Sequence, residues 1–236
     1  CMHRNGDRRH RGPALGQWVM RKGNTIVTTR ILHIEASPSG ERSRSADTAR
    51  YFLQQHRALH PEVEVETLRL WDLDLPAFDA TMIEAKFAVL RSTSATEDQR
   101  RRWQSAVQFA RAFNAADKYV FSLPMWNFGI PYILKHYIDI VTLPGENWLW
   151  TPQEGYSGLL RGKRAALVYS SAGDYPVGMP SHDKDFQKPY MRAWLGFLGI
   201  HDVAEIAAAP TLASPQAVAA SLARARNEAE RLAERF

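Results

Sequence analysis

The chain has 236 residues, 45% hydrophobic and 23% charged, enough apolar material for one sizeable core. No stretch reaches the run of about eighteen apolar residues that a membrane span requires, no basic segment leads into an apolar signal core, and the single cysteine, Cys1, excludes an internal disulfide or a thiolate metal site. The net charge of +5 lies in residues 1–24, where Arg4, Arg8, Arg9, Arg11, Arg21 and Lys22 face Asp7 alone; the remainder balances to zero and offers no continuous footprint for nucleic-acid phosphates.

These features predict a soluble, cytoplasmic protein with a flexible basic arm over residues 1–24 and one domain over residues 25–236. Thr25 to Glu35, with Ile31, Leu32 and Ile34, reads as a buried first strand ending in the turn Ala36-Ser37-Pro38-Ser39-Gly40. From Ser45, Ala46, Ala49, Phe52, Leu53 and Leu59 recur at helical spacing until Pro61, and Val63 to Leu68 form a second strand. A less regular stretch follows, beginning at Trp71 and including a short apolar run from Met82 to Leu90. Ser94 and Glu97 have capping-box spacing for a helix reaching about Ala116. Lys118 to Leu123 reads as the third strand, and Pro131 to Thr142 as a helix with Pro131 in its first turn.

Gly145 to Leu160 is a long aromatic-rich connection, and its length marks it as a candidate functional loop. Lys163 to Ser170 is a continuously apolar strand of the kind covered on both faces. A helix over Phe186 to Leu198, a weak strand over Val203 to Ala208 and a last helix after Ser214 complete the chain. The alternation predicts an α/β domain with five parallel strands, doubly wound, with helices on both faces.

Ligands of such a sheet gather beyond the strand C-termini where strand order reverses, which directs attention to three segments. After the first strand, Ser37, Ser43 and Ser45 offer hydroxyls at a helix start, where free amides and the helix dipole favour a phosphate; a plain helix cap is the alternative. The segment lacks the Gly-x-Gly-x-x-Gly and lysine-bearing phosphate loops, and Arg42 and Arg44 can assist electrostatically or simply be solvated. After the third strand, Pro124-Met125-Trp126-Asn127-Phe128-Gly129 combines apolar surfaces with an amide that can read a ring edge, and Gly129 permits close backbone approach; an aromatic cluster at a helix start is the alternative. After the fourth strand, Ser170-Ser171-Ala172-Gly173 is a small-residue turn that leaves room for a planar edge. Together the three segments suit a flavin mononucleotide.

In these motifs the sequence closely resembles the FMN-dependent NADH azoreductase and quinone reductase family, from about Arg30 to Ala209. The serines at 37, 43 and 45 match the family's phosphate segment. Pro124-Met125-Trp126-Asn127-Phe128 is similar to its Pro-Met-Tyr-Asn-Phe pattern, with tryptophan in place of tyrosine. Ser170 and Gly173 match the ends of Ser-Arg-Gly-Gly, whereas Ser171 and Ala172 depart from it.

The resemblance implies a flavodoxin-like fold, FMN as cofactor, and ping-pong electron transfer from NADH or NADPH through flavin N5 to quinones and aromatic azo compounds. It also implies a homodimer with the two sites near the subunit interface, and an acceptor pocket lined by Trp148 and Trp150. No metal is required. His33, His136 and His182 give no acid–base signature, and solvent can supply the proton. A general flavin or quinone reductase with little azo activity, a flavodoxin-like electron carrier and a flavin-free interaction domain are the competing readings.

Overall fold

The computed structural model describes residues 28–91 and 94–236; the basic stretch 1–24 lies outside them. The first strand, β1, spans Arg30–Glu35, so the expected strand residues 25–27 also fall outside the described part. Chain order continues with α1 (Arg44–Leu59), β2 (Glu64–Arg69), α2 (Ala80–Leu90), α3 (Glu97–Asn114), β3 (Lys118–Pro124) and α4 (Tyr132–Val141). It ends with β4 (Trp148–Thr151), β5 (Gly155–Gly158), β6 (Arg164–Ser170), α5 (Gln187–Leu198), β7 (Asp202–Ala208) and α6 (Pro215–Arg235).

Five strands form one parallel sheet in the order β2-β1-β3-β6-β7. Their alternating side chains feed two cores. Ile31, Val120 and Val168 pack with Phe52 of α1 and Leu232 of α6, while Leu32, Ile34 and Phe121 pack with Phe113 of α3, Leu134 of α4 and Leu195 of α5. Burial on both faces explains why β3 and β6 read as unbroken apolar runs. The chain leaves β1 for β2 on one side and then returns to β3 on the other, so strand order reverses between β1 and β3.

Three expectations are corrected. The capping box of α3 is built from Thr96 and Gln99, not Ser94 and Glu97. Thr96 is extended, its hydroxyl accepts from the Gln99 amide at 3.2 Å, and the Gln99 side chain accepts from the Thr96 amide at 2.9 Å. Pro131, with ψ of 141°, caps α4 from outside instead of occupying its first turn. The Gly145–Leu160 connection is not an open loop, because β4 and β5 pair as an antiparallel hairpin turned at Gly155, whose φ of +71° suits glycine.

That hairpin is seated on the end of α5. The Leu160 amide donates to Leu198 O at 2.9 Å, and a Cβ added to Gly158 would lie 2.2 Å from the Gly199 amide nitrogen, so the two backbones touch where no side chain fits. Among the described residues no helix is long and apolar enough to cross a membrane, and no cluster of three or more His, Cys, Asp and Glu is placed to hold a metal ion.

Candidate active site

Beyond β1 the chain turns through Ser37 and Gly40, the latter at φ +53°, into α1. Ser43 is the N-cap: its hydroxyl accepts from the Ala46 amide at 3.3 Å and lies 3.2 Å from the Ser45 hydroxyl. Both serines are buried, whereas Ser37 is half-buried and accepts from the Ser39 amide at 3.3 Å. The cap satisfies only the third amide of the helix. The first intrahelical bond is made by Asp47 to Ser43 O, which leaves the Arg44 and Ser45 amides pointing out of the helix start beside paired hydroxyls. This is a cradle of the kind that receives a phosphate dianion. Arg42 and Arg44 are exposed at its rim.

Beyond β3 the chain makes a two-residue turn. Trp126 and Gly129 exchange two backbone hydrogen bonds of 3.0 Å, and the residues between them, Asn127 and Phe128, have φ of 47° and 70°. The left-handed conformation therefore falls on two non-glycine residues. Gly129, expected to permit close approach, has ordinary φ, and a Cβ added there would meet no atom nearer than 3.9 Å. Left-handed Asn and Phe in sequence are costly, and such strain persists where surrounding structure fixes it. Here the fixing bonds are the Phe186 amide to Phe128 O at 3.0 Å and Gln187 Nε2 to Pro124 O at 2.8 Å. Gln187 is itself buried, its amide held by Asp185 Oδ1 at 3.1 Å. The turn thrusts Asn127 and Phe128 outward, both exposed, past half-buried Met125 and Trp126.

The third segment joins the second through the Met125 amide, which donates to Ser170 O at 2.7 Å. Ser170 is buried at the end of β6, level with Pro124. The Ser171 hydroxyl is turned inward onto Gly173 O at 2.7 Å, and the Ser171 and Ala172 carbonyls accept from the Thr211 and Leu212 amides beyond β7. The Ser37–Ser45, Pro124–Phe128 and Ser170–Gly173 segments thus meet at one end of the sheet. Ala36, whose amide donates to Ser122 O at 2.9 Å, ties the first to the second.

Trp148 and Trp150 do not join them within one chain. Their hairpin packs on the C-terminal end of α5 and leads directly into the start of β6, at the opposite end of the sheet. Trp148 is buried against Tyr156 and Phe197, with centroid distances of 5.6 and 5.5 Å, while Trp150 is 56% exposed.

The histidines hold structural places. His33 is buried on β1, its Nε2 3.0 Å from the Ser122 hydroxyl, and burial followed by the nearby Arg50 and Arg69 charges pushes its imidazole down to about 3, which keeps it neutral. His136 Nε2 lies 2.9 Å from Pro76 O, and His182 sits in a short 3-10 turn with Nδ1 3.4 Å from Tyr175 O. Two neighbours of the site escaped sequence reading. Gln187 carries no motif; Trp71, in the 3-10 turn Leu70–Asp72 after β2, is visible in the sequence only as an aromatic residue following a predicted strand.

Strand order, a helix-start anion cradle and an outward-facing polar–aromatic turn at the same sheet end define a mononucleotide-binding α/β protein. A model of the flavodoxin-like fold matches residues 29–233. The chain is 39% identical over 205 residues to an FMN-dependent NADH:quinone oxidoreductase of Desulfotalea psychrophila, covering 87% of this chain and 96% of that protein. It is likewise 39% identical to FMN-dependent NADH:quinone oxidoreductase 3 of Pseudomonas fluorescens, covering 88% and 97% of the two chains. Among solved structures it is similar to an FMN-dependent NADH-azoreductase of Bacillus anthracis in complex with FMN, with a TM-score of 0.79, 27% identity and coverage of 88% and 99%. The chain belongs to this flavodoxin-like family, in its branch of FMN-dependent NADH:quinone oxidoreductases and azoreductases.

Proposed function

We propose that this protein is an FMN-dependent oxidoreductase that takes electrons from NADH or NADPH and delivers them to quinones and aromatic azo compounds by a ping-pong mechanism. The observation that carries the reading is the pairing of an anion cradle at Ser43 and Ser45 with the left-handed Asn127–Phe128 turn at one end of the sheet. A flavin mononucleotide has a phosphate at one end and a broad ring at the other, and the residues present fit both. FMN, when bound, supplies the redox chemistry, accepting a hydride from the nicotinamide and passing two electrons to the acceptor.

The chain's own residues bind and orient. Ser37, Ser43, Ser45 and the amides at the start of α1 hold the phosphate. Pro124, Met125, Trp126, Asn127 and Phe128 seat the ring, Asn127 reading its polar edge. Ser170, Ser171 and Gly173 border the far edge, Ser171 through its backbone because its hydroxyl is spent on Gly173 O. His33 moves no proton, being neutral and enclosed; reduced quinone takes its protons from water. Residues 25–236 form the FMN-binding domain in this reading.

The working unit is a homodimer. Among the described residues, Ile83, Phe87 and Leu90 recur along α2 at 41%, 45% and 45% exposure, an apolar row on one side of the helix. In such a dimer Trp150, remote from its own chain's site, serves the acceptor pocket of the second copy, with Trp148 supporting it from the hairpin core.

Anaerobic mixing of the FMN-loaded protein with NADH or NADPH is expected to bleach the flavin absorbance without an acceptor, and later addition of a quinone or azo dye to restore it. Purified protein that takes up no FMN would end this reading.

A further inference from the structure

Trp126 of the ring-seating turn meets two aromatic side chains from other elements at the same end of the sheet. Trp71, from the turn after β2, lies 6.0 Å from Trp126 and 5.4 Å from Tyr132, the latter edge-on, and Trp126 lies 6.3 Å from Tyr132. None belongs to the buried core. Trp71 and Trp126 are half-buried and Tyr132, the first residue of α4, is 63% exposed. Aromatic rings packed on one another and still open to water offer flat surface to a ligand.

Trp71 is also held in place. Its Nε1 donates to Ala36 O at 3.0 Å, so its one polar atom is occupied and faces the backbone just before Ser37. Two residues earlier, Arg69 Nε lies 3.4 Å from Glu35 Oε2, and Arg50 Nη1 of α1 lies 3.2 Å from Glu35 Oε1. Glu35 is buried between these two guanidinium groups and pairs in register with Arg69. A carboxylate with two cationic partners fixes the end of the edge strand to β1 and α1, and with it the turn that carries Trp71. An edge strand without such a tie frays at its end.

We propose that Trp71 is a specificity-determining residue of the acceptor site. With Trp126 and Tyr132 it forms an aromatic shelf that favours acceptors with two or more fused or linked aromatic rings over single-ring quinones, and Glu35 is its positioning residue. A one-ring quinone has little aromatic area beyond what a flavin face covers, whereas an acceptor with two or more fused or linked rings has further flat surface for the shelf to meet. This inference rests on the FMN-dependent quinone and azo reductase reading and names the acceptors that reading leaves open.

The test compares wild type with Trp71→Ala, Trp71→Phe and Trp71→Leu as FMN-loaded proteins. Five quantities are measured: FMN affinity, the rate of anaerobic bleaching by NADH, kcat and KM for 1,4-benzoquinone against a naphthoquinone, and calorimetric binding of anthraquinone-2-sulfonate to the oxidised protein. Trp71→Ala is expected to raise KM for the naphthoquinone and weaken anthraquinone binding by up to about tenfold, the size of one lost aromatic contact, with benzoquinone kinetics, FMN affinity and bleaching unchanged. Trp71→Phe is expected to keep most of the preference, and Glu35→Gln to lose part of it through KM while kcat holds. If Trp71→Ala does not fold, Trp71→Leu, which keeps apolar bulk without a flat ring, decides the matter. Equal losses for both quinones, or a loss of FMN affinity in place of acceptor binding, overturns the shelf while leaving the flavin reading intact. Wild-type protein that binds no FMN overturns the parent reading instead.

Discussion

Ser43 caps α1 and, in the proposed reading, also meets the FMN phosphate, and substitution separates the two. Ser43→Ala removes the N-cap of α1 and is expected to cost about 1 kcal/mol of stability without FMN; Ser45→Ala, which caps nothing, is expected to cost less. Both are expected to weaken FMN binding by about 1–3 kcal/mol through loss of a charge-assisted hydrogen bond, with non-additive losses because both hydroxyls would meet one phosphate. Calorimetric titration with FMN beside urea denaturation of the apoprotein checks both halves, and unchanged FMN affinity in both variants refutes the cradle. His33 gives a second residue-scale expectation. Its imidazole is held at about 3 in the fold against an ordinary 6.5, so between those values the unfolded chain binds the extra proton. His33 then contributes stability fully above about pH 6.5 and loses it as pH falls, by at most about 1.4 kcal/mol per pH unit. Urea midpoints between pH 7 and pH 5 should fall less steeply in His33→Gln than in wild type. Parallel slopes would assign the acid sensitivity elsewhere, for instance to His56, whose pKa burial also lowers.

Among the elements, the hairpin β4–β5 depends most on a single missing side chain. Gly158→Ala places a methyl group 2.2 Å from the backbone of Gly199, where neither partner can rotate away, and is expected to cost at least about 2 kcal/mol. Gly173→Ala, whose added carbon meets nothing nearer than the Tyr175 hydroxyl at 3.8 Å, is expected to be nearly neutral for folding, and thermal melts of the two apoproteins compare them directly. The central strands β1, β3 and β6 were legible because burial on both faces leaves apolar runs such as Ala165 to Tyr169. The hairpin was not, because Trp-Leu-Trp-Thr and Gly-Tyr-Ser-Gly are four-residue strands whose pairing depends on α5, well downstream in the chain. The α3 cap was displaced by two residues because Ser-Thr-Ser-Ala-Thr offers several hydroxyls, and only backbone conformation decides which one caps.

For the whole molecule, the sequence order of strand, turn and helix was enough to put the three candidate segments at one end of the sheet, since loop position in a doubly wound fold follows from topology. What sequence order could not convey is distance between loops. Trp71 comes to Trp126 only because β1 pairs with both β2 and β3, and the hairpin tryptophans stand at the far end of the same sheet. The apolar row of α2 makes the assembly testable: Phe87→Glu with Leu90→Lys is expected to convert a homodimer to a monomer by light scattering after gel filtration, and a monomeric wild type would refute the dimer. The hairpin's position at the far end adds a condition on any assay. If the acceptor pocket is closed by the neighbouring copy, dilution divides the reaction at its midpoint: acceptance of electrons from the nicotinamide persists in the separated chain, while delivery to the acceptor weakens as the wall lent by the second copy is lost. Turnover per chain would then depend on how much enzyme is in the cuvette.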